Sequence, residues 1–565
     1  MSLRAGRVIS TAAVAVFCWS SGLRAAEVVT HPYPGITLIK RKEIIPLPAP
    51  NANPLRQVKM NIVLVDLNAP EIRFKMTPEG KDLPTDNFGT PGWPIPYPPF
   101  ETVRQGTLQY LEAAHGQVAI NSHFFAPFPV PAGSNQGAWA YLIGLAASRG
   151  NVYSAFETPF QIYAIVADSP AINIDRENNA SVVHRDPAFA DGKHVLENVT
   201  LYNALAGSAQ IITDGVKSIP LYRDAAHPDA PLIGPGNNNY SNSNSWYNLV
   251  NARSAIGLTR DNKTLVLFTV DVRPTIFMDE DERSQGMRVG EVADVLLGYG
   301  VWNALNLDGG GSTSMALQDP VDGARSVINV SSDPAPGRSE ASSLAVYSDG
   351  IDPVSAATAS PAANANGWNN TSVHVSLDAT DSRSGNAGDL LGWVDQLQYS
   401  LAGAQASDVQ VVAGHAASVD VTTPGITTLT YFATDAAGND EAAKELTVRL
   451  DGTQPQVNGL PSADCSLWPP NHGMRQVAVV TASDALSGVA PGALRVTATN
   501  SDPSSPDDVL VEADGAGGFA VYLRAERRGN GGDRAYTITA TATDRADNTR
   551  TVTATCVVPH DQGKN

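Results

Sequence analysis

Asn306-Leu307-Asp308-Gly309-Gly310-Gly311-Ser312-Thr313-Ser314-Met315 is the stretch on which the reading of this chain turns. A short strand over 304–307 delivers two polar residues, Asn306 and Asp308, to its end. Gly309, Gly310 and Gly311 then let the backbone turn with positive φ and come close to a ligand. Their N–H groups can point into one concavity and bind an anion. Ser312 and Thr313 add hydroxyl donors. A plain tight turn needs fewer glycines; the third, flanked by Asp and Ser-Thr, marks a site. The loop is neither a Walker loop nor a dinucleotide fingerprint, because the spacing and the lysine are absent.

Working outward, 288–297 places apolar residues at 289, 292, 293, 296 and 297, which is helical spacing, and Gly298 and Gly300 stop it. Glu291 inside that helix reads as a capping or solvated residue. MNIVLVDL (60–67), 118–120 and TLVLFTV (264–270) read as strands, and 101–114 as a helix ending at His115-Gly116. The Pro-rich stretch 84–99 and the Asn/Ser-rich stretch 236–245 read as long surface loops. Residues 27–352 therefore predict an α+β domain with a mixed sheet.

Beyond 352 helical periodicity gives way to period-two alternation in Thr, Val and Ala. LDATDSRSG at 377–385 matches VTASDALSG at 480–488, and ATDAAGND at 433–440 matches ATDRADNT at 542–549. Two modules of about 100 residues with six or seven short strands predict two all-β sandwiches, over 353–455 and 456–565. They resemble the immunoglobulin-like modules appended to many exported bacterial proteins, which implies a spacer or adhesive role, such as holding a cell-surface polysaccharide.

The first 26 residues carry a basic start (Arg4, Arg7), an apolar stretch and small residues before Ala26, the pattern of a secretory signal peptide. The apolar stretch is shorter than the roughly 20 residues a membrane helix needs. The expectation is a secreted, periplasmic or cell-surface protein without membrane insertion. With that segment removed, two of the three cysteines remain, Cys465 and Cys556, and an oxidising compartment pairs them. Lys and Arg number 38 against 57 Asp and Glu, a net charge of −19. That balance excludes partners held by bulk positive charge, nucleic acid among them. No His/Cys cluster has zinc spacing. Asp308, Asp271 and DEDE at 279–282 offer oxygen ligands of the kind Ca²⁺ takes. The expectation is that catalysis requires no metal or other cofactor, with Ca²⁺ an optional ligand.

NLDGGGSTSM resembles the signature of the phosphodiester glycosidase family. AINSHFF (119–125) resembles that family's AINGGFF element, RSAIG (253–257) its R-T-A-I-G element, and Asp271-Val272-Arg273 its D-G-R. Residues 284–297 fit its S-x-G-M-x-x-x-E-x-A-x-x-L helix, and Arg338 in PGRSEASSLAV fits the final strand entry. The likeness spans about 58–348. Ser122-His123 replaces a glycine pair and Val272 a glycine, so side chains stand where the family leaves room.

The resemblance implies hydrolysis of the sugar C1–O bond of a sugar-1-phosphodiester, such as an N-acetylglucosamine-1-phosphate diester or a related phosphorylated glycan. Sugar and a phosphomonoester would be released. A phosphate leaves as a weak base, so protonation of the leaving oxygen matters less than in ordinary glycoside hydrolysis. A cationic clamp and one carboxylate near C1 are what the chemistry asks for. Arg253, Arg273 and Arg338 are the expected clamp, through the bidentate guanidinium fork. Asp308 is the expected base or nucleophile. Asn121 and Asn306 would position the sugar, Asp271 would orient Arg273, and His123 is a candidate acid–base group. The glycine loop with Ser312 and Thr313 would bind phosphate or sugar hydroxyls. The alternative is a non-catalytic glycan-binding surface protein with sandwich spacers.

Overall fold

The computed structural model describes residues 14–16, 25–46, 55–83, 99–126, 136–156, 164–233, 241–273, 283–333, 337–381, 394–502, 504–529 and 531–561. The expected loop at 84–99 lies almost wholly outside these residues, as do 236–240 of the stretch 236–245 and the whole acidic run at 279–282. The chain divides into two compact units. One is Met1–Asp352 with 382–392 and 436–439; the other is Pro353–Asp381, Trp393–Asp435 and Asp440–Asn565.

In the first unit the elements that build the site are β1 (Leu55–Asp66), β2 (Ile72–Met76), α1 (Thr107–Ala114), β3 (Val118–Asn121), β4 (Arg253–Thr259), β5 (Thr264–Val270), α2 (Val289–Gly298), β6 (Val301–Asn306), β7 (Met315–Gln318) and β8 (Ser343–Ser348). A nine-stranded sheet runs Val14–Val16, Ala25–Tyr33, Ile36–Pro46, β1, β5, β4, β6, Ala209–Thr213, Val216–Lys217. A five-stranded sheet runs Arg325–Val327, β7, β3, β8, β2. A second five-stranded sheet, Asn151–Ser154, Ala146–Ser148, Asn203–Ala206, Ala171–Ile174, Ala180–Val183, completes the unit's main sheets.

The unbroken apolar run of β5 has a physical reason. Successive side chains of a strand point to opposite faces, and here both faces are buried. Leu265 and Leu267 join Val63, Leu305, Ile120, Met315 and Leu344 in a core between the nine-stranded sheet and the β3-containing sheet. Val266 and Phe268 join Ile62, Ala304 and the buried stripe Val289, Val292, Ala293 and Leu296 of α2 on the other face. The α2 start is a capping box, with the Arg288 N–H donating to Glu291 Oε2 at 2.7 Å. Glu291 also pairs with the buried Arg56 of β1. Gly300, at φ 79°, follows the helix end.

The α+β expectation holds only for the β-rich part. Among the described residues the first unit carries two α-helices against its three main sheets, so it is predominantly β. The helix expected over 101–114 is confined to α1. Thr102 pairs with Ala140, and Gln105 bridges Glu340, so the first residues are drawn into strand pairing. Tertiary hydrogen bonds override local helix propensity there. His115 ends the helix in the left-handed region, at φ 60°.

The second unit holds two antiparallel sandwiches. In the first, the sheet Val354–Ser360, Val373–Thr380, Ala416–Val421 packs on Ser407–Ala413, Val394–Gly403, Gly425–Asp435, Lys444–Leu450. Val375 and Leu377 of one sheet share a core with Leu397 and Leu429 of the other. The second repeats the plan, with Val480 and Val521 meeting Ile538 and Ala540. The repeated segments 377–385 and 480–488 begin on the corresponding strands Val373–Thr380 and Met474–Ser483. Cys465 and Cys556 form a disulfide across 91 residues of sequence. No helix among the described residues is long and apolar enough to cross a membrane.

A bond closing a loop of that length stabilises by about 4 kcal/mol, chiefly through the unfolded chain. Replacing both Cys465 and Cys556 with Ser is therefore expected to lower the urea midpoint of the last sandwich, followed by Trp468 fluorescence. An unchanged midpoint would show that the core alone holds the module.

Candidate active site

The glycine loop is the crossing between two sheets. β6 ends at Asn306, held in the middle of the nine-stranded sheet by register with Ala255 on one side and Ala209 on the other. Nine residues later the chain enters the other sheet, where Met315 of β7 pairs with Ile120 of β3. Between these anchors, Leu307 sits in the core and donates its N–H to Ser254 O at 3.0 Å, and the Asp308 N–H reaches Ser122 O at 3.0 Å. Asn121, the last residue of β3, clamps both ends of the loop. Its Nδ2 donates to Asp308 O at 2.7 Å, and its Oδ1 accepts from Ser254 Oγ at 2.7 Å and from the Ser314 N–H at 3.0 Å.

Two of the glycines are required by geometry. Gly310 has φ 66°, a left-handed conformation that a side chain disfavours. A Cβ on Gly311 would lie 2.3–2.4 Å from the Asp333 carboxylate. Two of the three glycine amides expected to cradle an anion are turned inward. The Gly309 N–H donates to Asp308 Oδ1 at 2.9 Å and the Gly310 N–H to Ala252 O at 2.8 Å, so both are committed inside the loop. What the loop presents is side chains. Ser312 Oγ accepts from Arg338 Nη1 at 3.3 Å, and Arg338 Nε donates to Asp333 Oδ2 at 3.1 Å.

Asp333, Arg338, Gly311 and Thr313 line a cleft of about 810 Å³. The start of α1 and Arg325 line it as well. Asp308 is buried behind the loop, with Oδ1 held by the Gly309 N–H and Oδ2 without a hydrogen-bond partner among the described residues. Burial pushes its pKa up to about 6, against the Ser312 hydroxyl, Arg338 and the Gly309 N–H, which pull it down. Glu340 also lines the cleft, and both its carboxyl oxygens are buried without a hydrogen-bond partner among the described residues. Burial raises its pKa well above the usual carboxylate range, and the charge of Asp308 raises it further; Arg338 and the nearby Ser312 hydroxyl act in the opposite sense.

Glu340 and Asp333 were not among the residues singled out from the sequence. One signal for Glu340 was present: an acid in RSEASSLAV, three residues before the strand Ser343–Ser348.

The other expected residues stand elsewhere. Arg253 is wholly buried; its Nη2 donates to Trp246 O at 2.7 Å and Leu249 O at 2.6 Å, its Nε to Met287 O at 3.3 Å, and its guanidinium lies 4.5 Å from the Trp246 ring centroid. Burial lowers its pKa to about 10. It props the Trp246–Leu249 turn behind the glycine loop and does not line the cleft, a correction to its expected place in the clamp. Arg273 pairs with Asp271 at 3.1 Å, as the orientation reading required, but neither residue lines the cleft. Burial moves Asp271 up to about 6, opposed first by Arg273. Of the three expected arginines, Arg338 alone reaches the cleft wall.

His123 is a correction of the same kind. It is fully buried, and burial lowers its pKa to about 4. Its Nε2 lies 3.0 Å from both the Ala206 N–H and Leu145 O, and its Nδ1 lies 3.0 Å from Ser342 Oγ. That neutral imidazole ties β3 to the sheet of Asn203–Ala206 and does not face the cleft. The replacement of a glycine pair by Ser122-His123 thus adds internal hydrogen bonds, with Ser122 Oγ 2.7 Å from Ser342 Oγ. Asn306 donates from Nδ2 to Ser208 Oγ at 2.9 Å, a scaffold contact. Among the described residues neither Asp308 nor Asp271 belongs to a cluster of metal-ligating groups. In the second unit the carboxylates of Asp451, Asp484 and Asp544 lie within 4.8 Å of one another, and Asp451 and Asp544 already accept backbone N–H bonds.

Residues 145–347 match the family model described as phosphodiester glycosidase. No curated protein sequence matches the chain. Among solved structures, the chain is similar to the catalytic domain of zebrafish N-acetylglucosamine-1-phosphodiester α-N-acetylglucosaminidase auto-inhibited by its pro-peptide. The identity is 17% over 57% of this chain and 88% of that one, with a TM-score of 0.36. It is similar as well to a protein of Burkholderia pseudomallei, at 11% identity over 58% of this chain and 97% of that one, with a TM-score of 0.35.

Two outcomes test this geometry. Gly311→Ala is expected to destabilise by about 1–3 kcal/mol through overpacking, and by much less in an Asp333→Ala background; additive effects in a double-mutant cycle would contradict the contact. Asp308 binds its proton more tightly folded than unfolded, so its contribution is favourable at pH 4 and is lost as pH rises through about 6. Asp308→Asn is therefore expected to melt higher than the parent at pH 7.5 and alike at pH 4, by differential scanning calorimetry.

Proposed function

With residues 145–347 a phosphodiester glycosidase domain, we propose that this protein is an exported enzyme that hydrolyses the sugar C1–O bond of a sugar-1-phosphodiester. N-acetylglucosamine-1-phosphate diesters of cell-surface glycans are the leading substrate class. The observation that carries the reading is the juxtaposition at the glycine loop: Asp308 buried behind it, Ser312 bonded to Arg338, and Arg338 with Asp333 on the cleft wall.

Each part has a task. Arg338, steered by Asp333, offers guanidinium N–H groups to the phosphate. Thr313 lines the same cleft, and its buried Oγ1 has no hydrogen-bond partner among the described residues; the Ser312 hydroxyl is bonded to Arg338 beside it. Asp308, once ionised, takes a proton from water as the water oxygen bonds to C1, or attacks C1 itself. The electron pair of the C1–O bond leaves on the phosphate oxygen, which carries it as a weak base. Export follows from the signal-peptide pattern, and the sandwiches act as spacers or glycan holders at the cell surface.

The purified protein is expected to release N-acetylglucosamine and a phosphomonoester from such diesters, with Asp308→Asn at least ~100-fold slower. Because the carboxylate form acts, kcat/KM should fall about tenfold per pH unit below about 6. Full activity of the Asn variant, or ¹⁸O from water entering phosphate instead of sugar, would sink the assignment.

A further inference from the structure

Glu340 is a buried acid on the cleft wall. Its backbone is pinned, with its N–H donating to Gln105 O at 2.9 Å and its O accepting from the Gln105 N–H at 3.0 Å. The side chain is therefore held at a fixed place on the cleft wall, two residues from Arg338. Both carboxyl oxygens are buried, and among the described residues neither has a hydrogen-bond partner. Burying a polar group unpaired destabilises the folded protein, so such a group calls for a reason. The charged groups that face it are Asp308 from the glycine loop, Asp333 and Arg338 from its own segment, and Arg104 from the segment before α1. Burial together with the two aspartates favours the neutral acid, against the two arginines.

We propose that Glu340 is a second catalytic residue of this cleft, a neutral carboxyl that gives its proton to the oxygen leaving C1, and that it equips the site for leaving groups more basic than phosphate. This deepens the reading of the cleft as a glycosidase site and rests on it. A phosphate leaves without help, whereas an alkoxide needs a proton. A site that served phosphodiesters alone would gain nothing from a costly buried acid.

The atoms balance as in hydrolysis. The C1–O bond breaks, its electron pair stays on the leaving oxygen, and that oxygen takes the Glu340 proton. Water bonds to C1 and gives its proton to the Asp308 carboxylate. Exchange with solvent then returns a proton to Glu340 and removes one from Asp308. The two carboxyls start in opposite ionisation states because their surroundings push them apart.

The test compares the full-length protein with Glu340→Gln and Glu340→Asp on two kinds of probe: N-acetylglucosamine-1-(methyl phosphate) and methyl N-acetylglucosaminide, each as both anomers. The parent is expected to hydrolyse both. The Gln variant should lose about 100-fold or more on the methyl glycoside, the range of general acid catalysis, and only a few-fold on the diester. The Asp variant should recover part of the glycoside rate. The proposal is overturned if the parent cleaves the diester and no glycoside, if Gln slows both probes equally, or if Asp is no better than Gln. A parent that cleaves only the glycoside, with loss in Gln, retains Glu340 as the acid and rejects the phosphodiester reading. Cleavage of neither probe rejects both.

Discussion

The carboxamide of Asn121 is the contact on which the site depends. The glycine loop must leave one sheet and enter another within nine residues, and a segment that short, rich in glycine, has many conformations to lose. Asn121 removes that freedom by bonding the Asp308 carbonyl, the Ser254 hydroxyl and the Ser314 N–H at once. Its own strand lies in the sheet the loop is about to join. The position of Asp308 is thus set by packing of the two sheets through Leu305, Ile120 and Met315, transmitted by one side chain.

That scaffold carries charge where the hydrophobic effect alone would place none. Asp308 and Glu340 are both nearly inaccessible, and each has an oxygen without a partner among the described residues. Burial makes both weaker acids than in water, but unequally. Asp308 has the Gly309 N–H, the Ser312 hydroxyl and Arg338 to support its carboxylate, while Glu340 feels Asp308 as a like charge. The folded state gives up stability at neutral pH to keep this pair, the exchange expected of a functional site. Arg253, by contrast, is a buried cation whose carbonyl partners suit a prop.

How much of this was legible depended on whether the signal was local. The runs MNIVLVDL and TLVLFTV, the stripe at 289, 292, 293 and 296, and the stops at Gly298 and Gly300 identified strands and a helix, because side-chain period and backbone freedom are properties of neighbouring residues. The α+β balance was misjudged at 101–107, where pairing with residues distant in sequence overrode a helical pattern. Among the arginines, motif order made Arg253, Arg273 and Arg338 look equivalent. Only the packing showed one facing backbone carbonyls, one facing Asp271 and one facing the cleft.

The sequence by itself determined the elements, the repeat that makes two sandwiches, the cysteine pair, and the glycine loop with its aspartate. These are set by composition, period and short-range turn chemistry. Only the tertiary structure decided which polar groups share a cleft. It turned the Gly309 and Gly310 amides inward, placed His123 in the scaffold as a neutral imidazole, and brought Asp333 and Glu340 to the loop. The reason is physical. Burial and hydrogen-bond partnership, which fix ionisation and direction, are made by residues far apart in the chain and exist only once the sheets have packed.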